Sequence, residues 1–123
     1  MFPQDQFPLL EEYKKHFEID KNTIFAYDHK IFSNNDLPEH LIIHEKTHHK
    51  QQDRDGLQFW VYNYLHDKKY RLIQEIEAYK EQLKSINDRN FRAKIWIESA
   101  KTLSSPLYGN IVSYQEALNI LKI

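Results

Sequence analysis

His44-Glu45-Lys46-Thr47-His48 sets two imidazoles four residues apart, with a carboxylate directly after the first. On a helix, residues i and i+4 lie one turn apart on the same face, so both imidazoles can reach one cation. Zinc takes imidazole nitrogen at roughly 2.0–2.1 Å and prefers four ligands. Glu45, about 100° round the helix from His44, would stand beside that cation without binding it, within reach of a water the cation holds. Zinc lowers the pKa of such a water toward ~7, where a carboxylate can take its proton. The bland alternative is a solvated helix face that happens to carry His, Glu and Lys. Against it, the histidines continue the apolar face of Leu37 and Leu41, and a further candidate ligand lies downstream.

That candidate is in Glu75-Ile76-Glu77-Ala78-Tyr79. Taking the stripe Leu72, Ile76, Tyr79 and Leu83 as the buried direction, Glu75 lies roughly 60° away and Glu77 roughly 140° away. Glu75 borders the buried face and is the expected third ligand, with Glu77 as the alternative. A boundary carboxylate paired with a neighbouring Lys or Arg is the ordinary reading of Glu75.

Several elements must position these residues. The motif falls in a helix expected from about Asp36 to Gln52, with Pro38 in its first turn and Gly56 as a breaker beyond its end. Before it, Thr23–Tyr27 and Ile31–Phe32 read as two short strands or a hairpin across Asp28-His29-Lys30. Leu9–Phe17 reads as a short helix. Leu57–Leu65 carries an apolar stripe with Trp60 as core. Further helices are expected over Lys68–Ile86, about Asn90–Leu103, and from a Ser113 cap through Leu121. The fold class is therefore α+β, mainly α, in a single domain over residues 1–123. A short β-hairpin or edge strand packs on the motif helix, and a second helix bears a ligand.

The chain has 123 residues and no cysteine, which removes disulfides, thiolate metal sites and cysteine nucleophiles. A net charge of -1 argues against general nucleic-acid binding. No apolar run approaches the ~20 residues of a membrane span, and no signal sequence is visible at the start. The expectation is a soluble cytoplasmic protein, or one in a host cytoplasm if phage-encoded, with no nucleic acid or membrane partner.

At these residues the chain resembles the gluzincin branch of the zincin metallopeptidases, in which H-E-x-x-H supplies two ligands and the general base and a later helix supplies a Glu. Glu75-x-x-Ala78 is similar to the E-x-x-A-[DN] helix of several gluzincins, with Tyr79 where those families often have Asp or Asn. The chain is also similar to small HExxH proteins of phages and prophages. The matching stretches are His44-Glu45-x-Thr47-His48-x-x-Gln51-Gln52, Tyr64-Leu65-x-Asp67, Tyr70-Arg71-Leu72-x-Gln74-Glu75-x-Glu77-Ala78-Tyr79 and Leu103–Gly109. The likeness runs from about Ile24 to Tyr114. It implies one zinc ion held by His44, His48 and Glu75, Glu45 as general base, and a peptide or protein substrate lying along the hairpin edge as an added strand. The alternative is a catalytically inactive zincin-like phage binding or morphogenesis protein with a structural metal or none. Oligomeric state stays open.

The remaining candidates have plainer expectations. His49 points about 100° from His48 and is expected to be solvated or to support the ligands. His66 is expected at a surface or helix end. A shifted pair, His40 and His44, would have Leu41 where the acid should be. Tyr108 is a candidate oxyanion donor, or else a tyrosine packed beside Pro106 and Gly109. Lys68, Lys69 and Arg71 read as the solvated face of a helix. Thr47 is expected to bond back to the backbone.

Overall fold

The computed structural model describes all 123 residues, Met1 to Ile123. A short helix α1 (Leu10–Lys14) is followed by strands β1 (Phe25–Tyr27) and β2 (Lys30–Phe32). Five further helices complete the chain: α2 (Glu39–Asp55), α3 (Leu57–His66), α4 (Lys68–Lys84), α5 (Arg89–Leu103) and α6 (Tyr114–Ile120). The fold is mainly helical with one two-stranded antiparallel sheet.

Each boundary has a local cause. The Asp67 side chain accepts from the amides of Lys69 and Tyr70 and starts α4, and Asp88 does the same for Phe91 at the head of α5. Ser113 and Glu116 form a reciprocal capping box on α6. The motif helix begins later than expected, because Pro38 sits in extended backbone (ψ 159°) as the residue before the helix rather than inside it. It also ends later, at Gly56, whose positive φ of 92° makes the sharp corner into α3.

The hairpin pairs Phe25 with Phe32, Ala26 with Ile31 and Tyr27 with Lys30. Asp28 and His29 between the strands both have left-handed backbone (φ 51° and 63°), as a two-residue type I′ turn requires. Neither is glycine, and the conformation is held from outside. Gln52 of α2 accepts from the Asp28 amide at 3.2 Å and donates to the Ala26 carbonyl at 2.8 Å. One glutamine thus fastens the hairpin to the motif helix. Phe2 covers the far edge of β2, donating its amide to Ile31 and accepting from Ser33.

Two apolar clusters flank the motif helix. One, built on Leu72, Leu83, Leu103 and Leu121, joins α4, α5 and α6. The other, built on Phe7, Tyr13, Phe25, Phe32 and Leu65, joins the N-terminal segment, the hairpin and α3. Between them α2 packs along α4 through a polar seam. Every buried residue of α2 is polar: His44, Glu45, Thr47, His48, Gln51 and Gln52. From α4 come Arg71, Gln74, Glu75 and Gln82. Burying polar groups costs free energy unless each finds a partner, so such a seam needs a reason beyond stability. No helix is long and apolar enough to cross a membrane.

Candidate metal centre

His44 and His48 lie one turn apart in the middle of α2, with ring centroids 5.0 Å apart. Glu75 approaches both from α4. Its Oε1 is 2.9 Å from His44 Nε2 and its Oε2 is 3.1 Å from His48 Nε2. All three are buried, at 7%, 5% and 4% exposure. One donor atom from each of the three lies within 4.8 Å of the others. Glu77 points elsewhere: it is exposed, accepts from Gln51 Nε2 at 2.8 Å, and faces Arg54. The angular separation between the two glutamates reflects how α4 packs on α2, with the Leu72–Leu83 stripe turned into the apolar cluster and Glu75 on its border.

The other nitrogen of each imidazole is held in place. His44 Nδ1 donates to Gln82 Oε1 at 2.8 Å, and His48 Nδ1 donates to Gln51 Oε1 at 2.8 Å. The Gln51 orientation is fixed by chemistry, because Trp60 Nε1–H, which can only donate, meets the same oxygen at 3.2 Å. Gln51 Nε2 in turn donates to the Gln74 carbonyl at 2.9 Å. Both Nε2 atoms are thereby turned toward the Glu75 carboxylate. The hydroxyl of Tyr64 donates to Glu75 Oε2, so the carboxylate is also oriented from a third helix. Such outer partners ordinarily accompany histidine and carboxylate ligands.

Two neutral-capable imidazoles and one carboxylate, buried and converging, form a donor set that suits zinc. Ligands about 2.0–2.1 Å from a tetrahedral ion stand roughly 3.3 Å from each other, close to the observed His–Glu spacings.

Electrostatics follow from the burial. Desolvation alone would lower the His48 pKa, but the charge and hydrogen bond of Glu75, with help from Glu45 and Gln51, raise it to about 9. Desolvation would raise Glu75, but the charge of His48 and the hydrogen bonds from both histidines hold it well below the usual carboxylate range. In metal-free protein the His48 contribution is complete below its unfolded pKa of ~6.5 and is lost as pH climbs through about 9. The Glu75 contribution is present above ~4.5 and is lost in acid. The metal-free form is therefore expected to be less stable at pH 9 than at pH 6, by roughly 2–3 kcal/mol. Urea unfolding in chelator at the two pH values checks this, and equal or greater stability at pH 9 would count against the buried pair.

Glu45 is different. It is 7% exposed, and its side chain makes no hydrogen bond or ion pair within the protein. Burial raises its pKa, the charges of His44 and His48 pull it down, and Glu75 pushes it up again. It lines a cleft of about 1070 Å³ that also exposes His44, His48 and Glu75. Its lining comes from β1, the segment after α1, α5 and the Pro106–Tyr108 turn, besides the helices that carry the centre. Residues 109–123 do not line it. α6 packs against α5 instead, with Ala117 buried in the apolar cluster.

Other candidates fall into place around this centre. His49 is half-buried and its Nε2 donates to the Lys30 carbonyl at 2.8 Å. His66 is exposed at the end of α3. His40 Nδ1 accepts from Gln82 Nε2 at 2.8 Å, so the same glutamine spans His40 and His44. Thr47 Oγ1 bonds back to the Ile43 carbonyl at 2.8 Å. Tyr108 is buried, and burial together with the Glu75 charge raises its pKa well above normal. Trp60 is core, yet it also lines the cleft. Tyr79 sets its ring edge-on to His44 with centroids 4.7 Å apart. Arg71 corrects the expectation for its segment. Lys68 and Lys69 are exposed, but Arg71 is 4% exposed and donates to the carbonyls of Tyr64, Leu65 and Leu107. Gln51, Gln82 and Tyr64, whose residue types alone do not mark them, are further partners of the centre.

No protein-family model matches the chain, and neither curated proteins nor solved structures include a significant match to it.

Proposed function

We propose that the protein is a zinc-dependent peptidase whose metal is held by His44, His48 and Glu75. The observation that carries this is the polar seam: a buried His–His–Glu set with outer partners on every member, beside a buried, unpartnered carboxylate in an open cleft. Zinc, when bound there, would supply Lewis-acid polarisation of a carbonyl and a water acidic enough to deprotonate near neutrality. The chain's own residues supply the rest. Gln51 and Gln82 keep Nδ1 protonated and Nε2 turned inward on the two imidazoles. Tyr64 steadies Glu75. Glu45, free of other partners, takes the proton of the attacking water and returns it to the leaving amine. Thr23–Ala26 line the cleft, so an extended peptide would enter it past this segment.

The test is cleavage itself. Zinc-loaded protein, incubated with a broad peptide mixture and read by mass spectrometry, is expected to produce new termini. These should disappear with a chelator and return when zinc is restored. A mixture left intact over long incubation at full zinc occupancy would contradict peptidase activity and favour a binding role for the same shell.

A further inference from the structure

We propose that the cleft selects peptides carrying a lysine or arginine, and that Glu98 is the residue that selects it. This rests on the peptidase reading of the cleft and adds its substrate class. The cleft is lined by 26 residues, among them Glu18, Glu45, Glu75 and Glu98, and none is Lys or Arg. Across the whole chain Lys and Arg number 17 of 123, so their absence from this surface sets it apart from the rest of the protein. Glu75 is committed to the two imidazoles. With a divalent ion bound, the charges of Glu75 and Glu45 would be cancelled, leaving Glu18 and Glu98 to set the sign of the cleft.

Glu18 belongs to the segment after α1 and Glu98 to α5. Both are exposed, and neither makes a side-chain hydrogen bond or ion pair. Glu98 is the better placed. It belongs to α5, where Ile95, Glu98, Ser99 and Thr102 line the cleft at helical spacing. Thr102 bonds to the Glu98 carbonyl at 3.1 Å, and Ser99 beside it is buried, so this stretch of helix is fixed. Glu18 lies in the irregular segment after α1. The lining of the same cleft includes the apolar Phe17, Ile19, Leu41, Ile95 and Leu107. A lysine or arginine suits such a wall, because its aliphatic stem packs on apolar surface while its charged head reaches a carboxylate. The buried and unpartnered Glu45 marks the same cleft, independently, as a place built to receive a ligand.

The probe is a fluorescently labelled decapeptide alternating Lys and Leu, set against its Glu and Leu counterpart. Binding to zinc-loaded Glu45→Gln protein is followed by anisotropy, and cleavage preference is read separately from a random peptide library cut by the parent. The Lys peptide is expected to bind at least about tenfold more tightly than the Glu peptide, with the gap narrowing in high salt. Adding Glu98→Gln should shrink the gap about threefold, and Glu98→Lys should reverse it. Glu81→Gln, an exposed change outside the cleft, should leave it unaltered. An unchanged gap in the Glu98 variants overturns the proposal. Peptides that are cut without Lys or Arg enrichment sink this inference alone. Peptides that bind with the Lys preference but are never cut sink the peptidase reading and leave the selectivity standing.

Discussion

Glu45→Gln is expected to lower peptide hydrolysis by roughly 10²- to 10⁴-fold while leaving zinc content unchanged. The amide keeps the shape of the carboxylate and removes its capacity to accept a proton. Glu45 makes no hydrogen bond within the protein, and its attraction to His44 and His48 is outweighed by burial, so the net shift of its pKa is upward. Its burial is in fact a cost, as the upward push of desolvation on its pKa shows. The same substitution should therefore leave the melting temperature equal or higher, the pattern of a group kept for activity at the expense of stability. Both readouts come from one preparation, by peptide assay and thermal unfolding. A variant that cut peptides at the parental rate would remove Glu45 from the mechanism. A variant that melted far below the parent would show its carboxylate to be structural.

The second large effect concerns the wall of the cleft. Arg71→Ala is expected to destabilise the protein by about 2–4 kcal/mol. The guanidinium donates to Tyr64 O at 2.7 Å, Leu107 O at 2.7 Å and Leu65 O at 2.9 Å, tying the end of α3 to the turn after α5. It also stands 4.6 Å from the Phe17 ring centroid and 5.6 Å from that of Tyr64. Removing it leaves three carbonyls without their charged donor, that of Leu65 buried and those of Tyr64 and Leu107 partly so. Lysine offers a single ammonium where three divergent carbonyls need a fork, so Arg71→Lys should recover only part of the loss. Urea unfolding measures both. A loss below about 1 kcal/mol for Arg71→Ala would mean that water satisfies those carbonyls and that the residue is not the anchor of this wall.

Legibility followed the range of the forces involved. Caps, breakers and the hairpin are local, and Asp67, Asp88, Ser113 and Gly56 do what their types suggest. The choice of Glu75 over Glu77 as the residue facing the histidines needed only helix geometry and a stripe of apolar neighbours. The start of α2 is not legible in the sequence because Pro38 suits either the first helical position or the residue before it, and its extended ψ decides for the latter. Gln51, Gln82 and Tyr64 were invisible for another reason. A glutamine on a helix reads as a solvated residue until the opposing helix is in place, and these three are brought to the centre by the packing of α2, α3 and α4. Arg71 failed likewise. The carbonyls that bury it come from a corner one turn away and from Leu107, 36 residues along the chain. Lone charges on helices ordinarily face water, and only the tertiary fold reverses that here.

The proposed activity depends on one cation shared by His44, His48 and Glu75. Untagged protein stripped with chelator, dialysed against micromolar zinc and analysed for metal should retain one zinc per chain. Under identical dialysis His44→Ala and Glu75→Ala should retain none. Zinc retained equally by all three proteins, or by none of them, would contradict it.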